Sequence, residues 1–227
     1  MQLKENFLEI NSLIKKACKK AQRKPSDVML LAVSKKQSVE KIKEAYSLGL
    51  KDFGENYAKE LIEKSLKLPK NINWHFIGHL QRNKVKKVLP IVSTIQSVDS
   101  IQLAEKIDSE AKKLGLKAII FIEINIAGKE SRNGLKPEEL QEFLFNARQL
   151  ENIEIQGLMC IAPLTEKEET RQYFKKMNDL NSIITSLSYL NLNPKHLSMG
   201  MSNDFEIAIE EGTTMIRIGT ALFGERK

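Results

Sequence analysis

The sequence predicts a single closed (β/α)8 barrel, the TIM-barrel class, and three observations carry that prediction. Eight extended runs alternate with helical stretches along the chain, an alternation that implies right-handed parallel crossovers. The length of 227 residues is close to what such a barrel needs, about 200 to 250. No Pro/Gly/Ser-rich linker, low-complexity tract or step in composition divides the chain, so one domain over residues 1–227 is expected. An open doubly wound sheet is the rival, but eight even repeats without a glycine-rich first turn favour closure.

The elements follow in order. Apolar residues at Leu8, Ile10, Leu13, Ile14, Ala17 and Cys18 predict an amphipathic helix over about residues 3–22. Beyond Pro25, Val28-Met29-Leu30-Leu31-Ala32-Val33 is continuously apolar, as in a strand buried on both faces. Ser38 is placed to cap a helix to about Leu48, with Glu40 and Glu44 on its early turns and Gly49 at its end. Asp52-Phe53-Gly54 begins a second extended piece, and Trp74-His75-Phe76-Ile77 forms a third. A basic helix over residues 83–89 then runs into Pro90. Thr94-Ile95-Gln96-Ser97-Val98 is the fourth strand, and Asp99 or Ser100 caps the helix that reaches Gly115. Residues 118–125 make the strongest strand, and Pro137 opens a helix to about residue 150 from the first-turn position that suits proline. Residues 153–159 are extended and precede a long helix over about 168–187. His196-Leu197-Ser198 is a short strand, residues 205–211 a helix stopped by Gly212, and residues 214–218 the last strand, with a helical turn from Thr220.

Composition narrows the function. With 41% hydrophobic and 29% charged residues, the chain is an ordinary globular one. Its 36 Lys+Arg exceed 29 Asp+Glu by seven, but the lysines are spread at helical spacing beside glutamates, as in Glu40-Lys41-Ile42-Lys43-Glu44, which suits solvated helix faces. Only 6% of residues are aromatic and none are interleaved with a basic run, so no specific nucleic-acid partner is expected. No stretch of about 18 uncharged apolar residues is available to span a membrane. The first residues lack the basic start and apolar run of a secretory signal. Cys18 and Cys160 supply neither a disulfide framework nor a zinc quartet. A reducing cytoplasm is the expected location.

In such a barrel, reactive groups sit at the C-terminal ends of strands. Lys35 directly follows the first strand, where a lysine held near a carbonyl compound can form a Schiff base. Lys36 competes for the role. At the other end of the chain, Arg217-Ile218-Gly219-Thr220-Ala221 reads as strand, tight turn and helix start, a place where backbone N–H groups favour an anion. Ser198-Met199-Gly200-Met201-Ser202 follows the seventh strand. The loops after strands seven and eight are the usual phosphate site of these barrels. His75, His79 and His196 lack metal-ligand spacing, and Cys160 reads as a buried small hydrophobe. Neither Gly-x-Ser-x-Gly nor a P-loop is present.

Six segments together resemble the YggS/PROSC family of pyridoxal 5′-phosphate (PLP) homeostasis proteins. They are Leu31-Ala32-Val33-Ser34-Lys35, Phe53-Gly54-Glu55-Asn56-Tyr57, residues 74–84, Gly157-Leu158-Met159, residues 197–202 and residues 217–224. The resemblance covers essentially the whole chain. His75-Phe76-Ile77-Gly78-His79-Leu80-Gln81 and Ser198-Met199-Gly200-Met201-Ser202 are its most specific blocks. It implies a barrel like the N-terminal domain of alanine racemase and other fold-type III PLP enzymes. It further implies that Lys35 holds PLP as a Schiff base and that Ser198, Gly200, Ser202, Gly219 and Thr220 surround the phosphate. Arg217 would face the pyridine nitrogen and Asn56 would lie near the ring.

The implied role is intracellular PLP homeostasis: holding, buffering and supplying PLP, to apo PLP-dependent enzymes among others, without established turnover. An arginine at the ring nitrogen disfavours the protonated ring that makes PLP a strong electron sink. The chain ends soon after its last helix begins, so no second domain is expected to add an acid–base group, and a monomer is expected. An amino-acid racemase is the alternative, and a nucleic-acid-binding barrel a more distant one.

Overall fold

A computed structural model describes residues 2–225. Eight strands, β1 (Met29–Val33), β2 (Asp52–Glu55), β3 (Asn73–Phe76), β4 (Thr94–Val98), β5 (Ala118–Ile124), β6 (Ile153–Cys160), β7 (Leu192–Ser198) and β8 (Met215–Ile218), pair in sequence order. All pairings are parallel, and β8 returns to β1 with Leu31 opposite Arg217. The barrel is closed, which decides against the open sheet.

Helix α1 (Gln2–Lys20) precedes the barrel. The connections carry α2 (Val39–Ser47), α3 (Ala58–Ser65), α4 (Val85–Val88), α5 (Ile101–Leu114), α6 (Leu140–Ala147), α7 (Lys167–Thr185) and α8 (Phe205–Glu210), and α9 (Thr220–Phe223) follows β8. Ser38 caps α2 by accepting from the Lys41 N–H at 3.3 Å. Gly115 ends α5 in the left-handed region, φ 63°, where an L residue is strained. Helix α1 turns Leu3, Ile10, Ile14, Ala17 and Cys18 inward and packs on α8 and α9.

Three elements differ from the sequence expectation. The basic stretch is a 3-10 turn, Arg82–Lys84, followed by the single turn of α4, rather than one helix. Strand β7 begins four residues earlier than His196, through Asn193, Pro194 and Lys195, which give no apolar signal. The helix expected from Pro137 to about residue 150 opens as a 3-10 turn, Pro137–Glu139, and continues as α6 only to Ala147.

Side chains alternate across the barrel wall. One face meets the helices: Ala32, Phe53, Trp74, Phe76, Ile95, Ile122, Leu158 and Ile216 join helix residues such as Ile42, Leu61, Ile107 and Phe174 in the main apolar core. The other face fills the lumen, where Leu31, Val33, Ile77, Phe121, Met159 and Met215 form a second, smaller cluster. Gly54 belongs to this inner face: a Cβ there would come within 2.9 Å of Ile77 and 3.3 Å of Leu31.

Candidate functional site

The inner face of β1 runs Met29, Leu31, Val33, and the same alternation carries Lys35 to the C-terminal mouth. There Lys35 lines a cavity of about 310 Å³, together with Asn56, Ser202, Arg217, Gly219 and Thr220. Lys36 is exposed, with φ 60°, and its N–H donates to Glu60 Oε2 at 2.8 Å. Two adjacent lysines that the sequence left in competition are therefore placed differently: one in the cavity wall, one in solvent.

The backbone around Lys35 is held from behind by α3. Lys64 is buried and its Nζ donates to the Ser34 carbonyl, to Glu55 Oε1 and to Glu60 Oε2, each at 2.8 Å. Ser34 Oγ also donates to Glu55 Oε1 at 2.6 Å. Burial pushes the Glu55 carboxyl above its ordinary value even with Lys64 beside it.

Asn56 continues the inner face of β2 beyond Gly54. Its Oδ1 is buried with no hydrogen-bond partner. Gly78, just past β3, makes that packing possible, since a Cβ there would lie 2.4 Å from the Asn56 carbonyl oxygen. The remaining wall comes from the loops after β7 and β8. Ser202 Oγ accepts from the Ala221 N–H at 3.2 Å and so ties the two loops together. Asp204, also in the wall, accepts from the Met201 N–H at 2.6 Å, and burial pushes its carboxyl upward.

Two expected site residues stand behind the cavity wall, Ser198 one layer deeper, level with Met215, and Gly200 at the level of Arg217. Ser198 is fully buried, takes a hydrogen bond from Arg217 Nη1 and gives one to Gln96 Oε1, both 2.8 Å. Gly200 has φ 92°, and its carbonyl accepts from the Arg217 N–H at 3.0 Å. A Cβ on Gly200 would meet that of Ala208 at 2.6 Å. Arg217 connects the layers: it lines the cavity, and its Nη2 donates to the Cys160 carbonyl at 2.6 Å. Burial draws its pKa down from the ordinary guanidinium value.

Glu123 is a site feature that the sequence reading passed over. It sits on the inner face of β5 opposite Met159 and opens on a neighbouring cavity of about 330 Å³ shared with Asn125 and Arg132. Burial, reinforced by Asp99, pushes its carboxyl up to about 7 against the pull of Arg217. A lone carboxylate closing an otherwise apolar strand was the available signal. Cys160 is buried and its thiol is pushed up to about 12 by desolvation, which disfavours the thiolate a nucleophile needs. His75 is buried in the lumen, His79 is half exposed, and the half-buried His196 ring stacks on Phe121 at 5.5 Å. Among the described residues, no group of His, Cys, Asp and Glu could hold a metal ion, and no helix is long and apolar enough to cross a membrane.

Residues 10–227 match the family model described as alanine racemase, N-terminal domain. The pyridoxal phosphate homeostasis protein of Aquifex aeolicus is 42% identical over 98% of both chains. The human protein of the same name is 36% identical over 90% of this chain and 80% of its own length. Among solved structures, PipY of Synechococcus elongatus with PLP bound superposes with a TM-score of 0.82 at 36% identity, covering 98% of this chain and 100% of its own. Alanine racemase from Clostridium difficile shares the fold, with a TM-score of 0.72 at 21% identity over 99% of this chain and 56% of that one. Match to the family model over nearly the whole chain, and identity to named relatives over their full length, give the conclusion: the chain belongs to the alanine racemase N-terminal domain family and, within it, to the pyridoxal phosphate homeostasis proteins.

Proposed function

We propose that this protein binds PLP in the cavity around Lys35. In this reading it serves PLP homeostasis as a single-domain, monomeric, cytoplasmic carrier that buffers the cofactor and supplies it to apo PLP-dependent enzymes. The observation that carries the reading is the convergence of a lysine, an arginine, two hydroxyl residues and a glycine turn on one cavity, in a chain whose relatives are PLP homeostasis proteins.

The donor set fits the cofactor. PLP brings an aldehyde that condenses with a primary amine, a phosphate, and a ring able to draw electron density. Lys35 is the amine in the cavity wall. Ser202, Gly219 and Thr220 offer hydroxyl and backbone donors suited to a phosphate. The orphaned Asn56 Oδ1 is a buried acceptor of the kind a bound ligand satisfies. Ser198 and Gly200 act from behind, by holding Arg217 and shaping the loop.

Arg217 favours the carrier over the enzyme. A guanidinium only donates, so a ring nitrogen facing it accepts and stays unprotonated. The site therefore holds PLP while leaving amino-acid chemistry slow.

The purified protein should absorb in the visible, and borohydride should fix the cofactor on the peptide carrying Lys35. Label on Lys36, or a visible band of full strength in Lys35→Ala, overturns the assignment. In heavy water with L-alanine, the loaded protein should exchange the alpha proton slowly or not at all while activating an added apoenzyme. Racemisation at ordinary enzyme rates, about 1 to 10³ per second, overturns the carrier reading.

A further inference from the structure

The lumen contains a file of side chains, hydrogen-bonded end to end, that reaches well below the cavity. Arg217 Nη1 donates to Ser198 Oγ at 2.8 Å, and Ser198 donates to Gln96 Oε1 at 2.8 Å. Gln96 Nε2 lies 3.0 Å from His75 Nδ1 and 3.1 Å from the Met215 sulfur. His75 Nε2 faces Asp52 Oδ1 at 3.4 Å, and Asp52 also accepts from Asn73 Nδ2 at 3.1 Å. Arg217 stands at the mouth, and Asp52 is the first residue of β2 at the opposite rim.

The order of donors follows from the chemistry of the members. Because Arg217 can only donate, Ser198 accepts from it and directs its own proton to the Gln96 carbonyl. That orients the amide, whose NH2 then faces His75 and Met215. His75 Nδ1 is left as the acceptor, so the ring proton sits on Nε2, toward Asp52. Every bond in the file points the same way, from a cation at the mouth to a carboxylate at the other rim. Ser198 and Gln96 are fully buried, and His75 is 5% exposed. Apolar residues would fill this volume at lower desolvation cost, as the neighbouring Leu31, Phe121 and Met159 do. A fully connected polar network is instead suited to holding one orientation.

We propose that Gln96 and His75 are positioning residues for Arg217: acting through Ser198, they fix the direction in which its guanidinium donates, and with it the seat of the cofactor ring. The effect on the ring rests on the PLP reading above; the order of donors does not.

One test needs no cofactor. Nitrogen–proton correlation of the imidazoles in the wild-type protein should show His75 carrying its proton on Nε2, with Nδ1 bare. A proton on Nδ1 overturns the donor order. The second test loads Gln96→Met and Gln96→Glu with PLP. Methionine keeps the bulk but cannot accept from Ser198. Its visible band should shift and its PLP affinity fall roughly ten-fold, the loss of one hydrogen bond in a charged network, while borohydride still labels Lys35. Glutamate keeps the acceptor for Ser198 but loses the donor to His75 Nδ1, so its band should shift less than that of Gln96→Met. Wild-type band and affinity in Gln96→Met, or equal band shifts in both variants, overturn the proposal. Should Gln96→Met fail to fold, His75→Phe replaces it, breaking the file one member further on: a shifted visible band with Lys35 still labelled is expected, and a wild-type band and affinity overturn the proposal. A wild-type protein with no visible band refutes the PLP reading instead and leaves the imidazole result standing by itself.

Discussion

The two faces of the barrel wall are built from different chemistry. Toward the helices, residues such as Phe53, Ile95, Ile107 and Phe174 pack with no solvent exposure or almost none. Inside the lumen, six buried apolar side chains share the space with Arg217, Ser198, Gln96, His75 and Glu123. A barrel this short has one shell to supply its stability and one lumen in which buried polar groups can be arranged. Removing bulk from the shell should therefore cost folding, and altering the lumen or its mouth should change ionisation or binding.

The shell gives the largest expected effect. Phe174 is fully buried on α7, and Phe174→Ala should lower unfolding free energy by about 3–5 kcal/mol, read by denaturant titration. PLP affinity of the folded protein should stay at the wild-type value; a parallel loss of affinity would blur the division between the faces. In the lumen, Glu123 has its carboxyl raised to about 7 from 4.5 by burial. The folded state then binds more protons than the unfolded one between those values. The contribution of Glu123 to stability should be full below about pH 4.5, should fall as pH rises through the window to 7, and should be lost above it. The total change is on the order of 3 kcal/mol. Glu123→Gln should flatten that part of the pH–stability curve, and an unchanged slope would show that Glu123 ionises freely.

At the mouth, Thr220→Val should remove a hydrogen bond to a charged acceptor, about 1.5–3 kcal/mol. PLP affinity should weaken by roughly ten-fold to over a hundred-fold, and binding of pyridoxal, which lacks the phosphate, should be unaffected. Equal losses for both ligands would point to a collapsed cavity. The smallest effect belongs to the outer surface. Lys59 is 90% exposed and only 4.0 Å from Glu63, so Lys59→Ala should leave the denaturation midpoint where it is.

Much of this division was legible in the sequence. The alternation of apolar runs and helical spacing located all eight strands, because strands covered on both faces are rich in apolar residues. Ser38 declared its cap through residue type and position. The start of β7 was hidden because Asn193 and Lys195 are exposed and Pro194 adds no apolar signal. Lys35 and Lys36 were both available to the sequence reading. The inward register of Met29, Leu31 and Val33, which puts Lys35 in the cavity wall, depends on how β1 faces the lumen. Motif matching grouped Ser198 and Gly200 with Ser202, Gly219 and Thr220, but neither lines the cavity, and spacing does not tell a residue of the wall from one behind it. Glu123 was visible as the one polar residue of β5, and Gln96 as one of three polar residues in β4. Their partners come from β3, β7 and β8, far away in the chain.

The clamp behind Lys35 has a further consequence. The carbonyl before that residue and the N–H after it are both held by α3, through Lys64 and Glu60. The main chain at position 35 is thereby fixed, and only side-chain torsions remain for the amine to search. An amine confined in this way meets a molecule seated in the cavity at a high effective molarity. Free amines in solution, amino acids included, must compete against that local concentration to take over an aldehyde held there. The stiffness of a backbone segment that itself touches no ligand thus bears on how quickly a carbonyl cargo can change hands.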